Sequence, residues 1–142
     1  RFIFGVGAGW NKPEVEHHGV AFEQRWKVVR ERIQAMRAIW TEDEPEFHGE
    51  FVQFDKLWSY PKPVQAGGPP IWLGANSRFV AERVAEYADG WLPVGGREGG
   101  ATIEQVREAC ARRGRRFEDL TLADFYAPQD EAQARAHIAQ GY

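Results

Sequence analysis

The feature that most constrains this chain is an alternation: short apolar runs that close on small residues, each followed by a stretch with helical periodicity. Phe2 to Val6, Pro70 to Gly74, Trp91 to Val94 and Leu120 to Tyr126 are brief and flanked by turn residues, which favours buried strands over helices. After the first run, Trp26, Val29, Ile33, Met36 and Trp40 recur at spacings of three and four and predict one apolar side of a long helix from Phe22. After the second, Ser77 stands where an N-cap would stand, ahead of Val80, Ala81, Val84 and Ala88. Thr102 and Gln105 form a capping box for a helix that buries Ile103, Val106 and Ala109 and stops at Gly114. Asp130 and Gln133 open a last helix that ends near Gly141.

Between Glu42 and Pro70 the helical period is lost. Phe47, Phe51, Val52 and Phe54 around His48-Gly49-Glu50 predict a hairpin, and four prolines then predict an extended segment. Parallel neighbours need a crossover of about a dozen residues, so four strand-and-helix units make the class α/β. Their spacing suits an open doubly wound sheet and half of an eight-stranded barrel equally.

Composition narrows the function classes. The 142 residues suit one domain, 1–142, and the net charge of -3 offers no basic surface for nucleic acid. The one dense cationic cluster, Arg112, Arg113, Arg115 and Arg116, lies where a helix ends, a place the helix dipole favours. A single cysteine, Cys110, excludes a disulfide within the chain and points to the cytoplasm. No run is long and apolar enough for a membrane span. Arg1 opens directly into an apolar run, which suggests a fragment.

Two loops stand out chemically. In Gly5-Val6-Gly7-Ala8-Gly9-Trp10, glycines after a strand let backbone amides approach an anion closely. Asn11-Lys12-Pro13 follows where a dinucleotide fingerprint would open its helix, so that fingerprint is not indicated. In Gly74-Ala75-Asn76-Ser77 a strand delivers small residues and a hydroxyl to a helix start, an arrangement suited to phosphate. Glu14, His17 and His18 lack a set of zinc-like spacing, so no metal is expected, and neither a nucleophile elbow nor an activated Cys110 points to acyl transfer.

R-F-I-F-G-V-G-A-G-W, Glu14, G-V-A-F-E-Q-R, Glu31, A-I-W-T, F-H-G-E-F, P-K-P-V-Q, P-P-I-W-L-G-A-N-S and A-D-G-W-L-P, in that order, resemble the luciferase-like monooxygenases, especially their deazaflavin-dependent branch. The resemblance implies a partial (β/α)8 TIM barrel, about four units matching strands four to seven. It implies FMN or a deazaflavin (coenzyme F420) as the cofactor for hydride transfer or oxygen activation on a small-molecule substrate. The cofactor phosphate would lie on Gly7, Ala8 and Gly9 and on Gly74, Ala75, Asn76 and Ser77, with Trp10 lining the pocket and Arg25 and Glu31 as a structural pair. Catalytic residues stay unassigned, because the family's first three strands and its eighth have no counterpart here. An incomplete barrel is expected to self-associate or to take a complementary half. The rival expectation is a non-catalytic half-barrel that serves as an interaction module.

Overall fold

The computed structural model describes residues 2–93, 100–123 and 130–139. Along the chain come β1 (Phe4–Val6), α1 (Lys12–His17), a 3-10 turn (Phe22–Gln24), α2 (Arg25–Thr41), β2 (Phe47–His48), β3 (Gln53–Phe54) and β4 (Ile71–Gly74). Then follow α3 (Val80–Tyr87), β5 (Gly90–Leu92), α4 (Ile103–Arg112), a 3-10 turn (Phe117–Asp119), β6 (Thr121–Leu122) and α5 (Glu131–Ala139). Val94, the 95–99 glycine loop, 124–126 and the expected end of the last helix lie outside the described residues. The chain divides into two compact units, one of residues 3–6 with Pro70 onward, the other of residues 7–69.

The first unit is built on a parallel sheet in the order β1-β4-β5-β6. Each new strand joins the edge made by the one before it, so the order never reverses. A barrel has no reversal, so this is the order that a segment of one shows. Side chains alternate across β4: Ile71 and Leu73 are fully buried, while Trp72 and Gly74 are partly exposed. Ile71, Leu73 and Trp91 form the core of this unit with Val80, Val84, Val106, Ala109 and Cys110. Trp91 keeps its indole N–H satisfied by donating to the Ala75 carbonyl at 2.9 Å.

Asp89 ties the strand starts together. Its carboxylate accepts the Ile71 amide at 2.8 Å, its amide donates to the Ile71 carbonyl, and its carbonyl accepts the Thr121 amide. The next residue must be glycine, because a Cβ at Gly90 would come within 2.7 Å of the Trp72 indole.

The capping box forms as the sequence predicts: the Gln105 amide donates to the Thr102 hydroxyl and the Thr102 amide to the Gln105 side chain. The helix ends at Gly114, whose φ of +66° a residue with a side chain rarely adopts. The arginine cluster then serves structure. Arg112 and Arg113 pair with Glu82 of α3, Arg115 donates to the Val84 and Ala85 carbonyls near the end of α3, and Arg116 pairs with Asp119. Asp130 accepts the Gln133 amide at 3.0 Å, opening α5 as expected.

One expectation for this region is corrected. Ser77 does not cap α3 with its side chain: the helix starts three residues later, behind Phe79. The Ser77 carbonyl accepts the Val80 amide, and its hydroxyl lies 3.5 Å from Arg83 Nη1. An extra turn through Arg78 and Phe79 separates strand from helix.

In the second unit Pro13 does not prevent a helix. It sits in the first turn of α1, where the missing N–H has no intrahelical partner to lose. The long helix forms, with its buried side shifted from the predicted stripe: Val28, Ile33 and Ala35 are buried, whereas Trp26, Val29, Met36 and Trp40 are only partly so. The hairpin pairs Phe47 with Phe54 and His48 with Gln53, and the Gly49 amide closes it on the Val52 carbonyl.

Candidate functional site

The loop after β1 turns at Gly9, in the left-handed region at φ +78°. A Cβ there would also meet Val15 Cγ2 at 2.9 Å, so both conformation and space require glycine. Among the described residues no hydrogen bond engages the amides of Ala8 and Gly9. Arg25, at the start of α2, holds the loop from outside: Nε donates to the Gly9 carbonyl at 3.2 Å and Nη1 to the Phe22 carbonyl at 2.6 Å. Its guanidinium carbon lies 3.6 Å from the Phe22 ring centroid. A half-enclosed cavity of about 240 Å³ is lined by Gly7, Ala8, Val15, His18, Arg25 and Arg32, among others. Trp10, expected in a pocket, is 79% exposed and does not line this one.

The loop after β4 belongs to the other unit. Gly74, the last residue of β4, leads into it, and a Cβ there would lie 3.6 Å from the Val6 carbonyl, an ordinary contact, so the fold itself leaves room for alanine. Ala75 is buried, and Asn76 and Ser77 are partly exposed. Among the described residues no hydrogen bond engages the amides of Ala75 and Ser77. Gly100 packs against Asn76 so closely that a Cβ would run into the carboxamide. Within the sheet, Val6 and Gly74 end neighbouring parallel strands, so the chain leaves both strands at the same edge.

Arg25 and Glu31 are structural, but they do not pair with each other. While Arg25 serves Gly9 and Phe22, the Glu31 carboxylate accepts the amides of Glu50, Phe51 and Val52 at 3.0, 2.7 and 3.1 Å. The Phe51 amide above all, then those of Glu50 and Val52, hold its pKa below the ordinary carboxylate value against the opposing effect of burial. Sequence reasoning missed the contacts of Arg25 with Gly9 and of Glu31 with the hairpin because these partners are distant: Arg25 reaches back sixteen residues and Glu31 forward nineteen to twenty-one.

The rings of His17 and His18 meet edge to face at 5.8 Å. Among the described residues no group of three or more His, Cys, Asp or Glu side chains is placed to hold a metal. No described helix is long and apolar enough to cross a membrane.

The sequence profile of the luciferase-like monooxygenases matches residues 1–142. The chain belongs to that family. Among similar members, the FMNH2-dependent dimethylsulfone monooxygenase of Pseudomonas putida is 30% identical over 145 residues, covering 99% of this chain and 40% of that protein. The F420-dependent glucose-6-phosphate dehydrogenase of Nakamurella multipartita is 27% identical over 144 residues, covering 96% of this chain and 42% of that one. A solved F420-dependent secondary alcohol dehydrogenase in complex with an F420-acetone adduct shares the fold at a TM-score of 0.69 and 22% identity, over 84% of this chain and 38% of that one. This luciferase-like chain therefore spans about two fifths of the length of these relatives.

Proposed function

We propose that this chain is the phosphate-holding part of a flavin- or deazaflavin-dependent oxidoreductase. The observation that carries the reading is the pair of small-residue loops that leave neighbouring parallel strand ends, each with amides that no described residue engages. Unengaged amides behind glycines suit the oxygens of a phosphate, and barrels bind ligands at the C-terminal ends of their strands. The residues proposed to contact the cofactor are Gly7, Ala8, Gly9 and Trp10, and Gly74, Ala75, Asn76 and Ser77. The named activities of the two relatives, one FMNH2-dependent and one F420-dependent, support the cofactor class.

When bound, such a cofactor supplies hydride transfer or oxygen activation, and the protein supplies binding, orientation and electrostatics. The part of this chain is to bind and orient: Ala8 and Gly9 offer amides from one loop, Ala75 and Ser77 from the other, and the Ser77 hydroxyl adds a donor. Residues that handle the substrate of the complete enzyme are not assigned to these 142 positions.

A complementary β/α segment, or a second copy of the chain, is proposed to cover the sheet. Among the described residues β1 and β6 each pair on one side only, and such edges invite pairing. Sedimentation at rising concentration should show association; a monomer at every concentration would count against it.

The cofactor reading is tested by titrating the chain with FMN and with riboflavin, which lacks the phosphate. A charged phosphate on preformed amides should favour FMN by on the order of ten- to a hundredfold, from roughly 1.5–3 kcal/mol per charge-assisted hydrogen bond. Equal affinities would remove the phosphate reading.

A further inference from the structure

We infer that Arg25 is a positioning residue that sets the geometry of the Gly7-Ala8-Gly9 loop, an inference that rests on the reading of that loop as a phosphate holder. The loop cannot set its own shape. Its residues carry at most one methyl group, and Gly9 lies in a left-handed conformation. Order has to be imposed by a group anchored elsewhere.

Arg25 is that group. It opens a helix of 17 residues whose Val28, Ile33 and Ala35 are buried, so its backbone has a firm base. Its planar fork bonds two carbonyls at once, Gly9 and Phe22, while it stacks on the Phe22 ring. The guanidinium cannot turn without losing both bonds and the stacking. The peptide unit is planar and trans, so fixing the direction of the Gly9 carbonyl also fixes the direction of the Trp10 amide, which points the opposite way. Arg25 thus holds a ligand-facing segment without itself being required to touch the ligand. Lysine carries the same charge but has no fork, so it cannot bridge the two carbonyls in the same way. Arg116, exposed beside Asp119 in the other unit, lines no part of this cavity and is the natural control.

The experiment measures backbone order and cofactor affinity in the 15N-labelled full chain and in Arg25→Lys, Arg25→Gln and Arg116→Gln, with circular dichroism to check that each folds. Nitrogen relaxation is expected to report order parameters near the rigid value of about 0.85 for Gly9 and Trp10 in the parent and in Arg116→Gln. They are expected to fall below about 0.6 in Arg25→Gln, with Arg25→Lys between. The preference for FMN over riboflavin should shrink by on the order of tenfold in Arg25→Gln and hold in Arg116→Gln. Unchanged order and preference in Arg25→Gln overturn the positioning role while the phosphate reading stands. A parent that binds FMN no better than riboflavin overturns both.

Discussion

The Glu31 carboxylate accepts the Phe51 amide at 2.7 Å, and its other bonds reach the amides on either side, so one side chain of α2 holds three successive amides of the hairpin. The same contact dictates Gly49, where a Cβ would collide with the Glu31 carboxylate and the Phe47 ring. Because the folded chain lowers the Glu31 pKa, the stabilisation is present above the unfolded value and is lost as pH falls through the folded one. Glu31→Gln should be less stable than the parent near neutrality, and the gap should close below the ordinary carboxylate range. Urea melts of both proteins across that range check this; a gap independent of pH would show that the charge contributes nothing.

Gly67 and Gly68 separate backbone strain from collision. Both have positive φ, +80° and +89°, but a side chain at Gly67 meets open space, whereas one at Gly68 runs into the Trp40 indole. Gly67→Ala should lose about 1–2 kcal/mol, the cost of the left-handed conformation. Gly68→Ala should lose that and more, since Trp40 or the turn must shift. Equal losses in denaturant melts would show that Trp40 moves aside freely.

Gly74 offers the converse case. A Cβ there meets nothing closer than the Val6 carbonyl at 3.6 Å, so Gly74→Ala should leave stability nearly unchanged. If the proposed phosphate contact is right, Gly74→Val should weaken FMN binding more than Ser77→Ala, which removes one donor. Titration with FMN decides it: parental affinity in both variants would leave the loop only a connection between strand and helix.

Cys110 is fully buried in the α4 face of the core, and burial raises its thiol pKa. Thiol and thiolate are both shielded, so a maleimide should label the native chain far more slowly than the unfolded one. Rapid labelling without denaturant would mean that α4 opens readily.

What the sequence determined by itself is everything decided within a few residues. The Thr102 and Gln105 box, the Asp130 cap, the stop at Gly114 and the hairpin around Gly49 all formed where the residues predict them, because each rests on bonds between near neighbours in the chain. The glycine loops after β1 and β4 were legible for the same reason, as small residues following an apolar run. The tertiary structure decided what depends on distant partners. Strand order is one example, since pairing β1 with β4 closes a connection of more than sixty residues that no local signal specifies. The partners of Arg25 and Glu31 are another: spacing along a helix says which way a side chain faces, but the carbonyl or amide it meets is chosen by packing. The late start of α3, which leaves Ser77 out of the capping role, belongs here too, because a hydroxyl suited to a cap yields when the chain makes an extra turn before the helix can bury Val80.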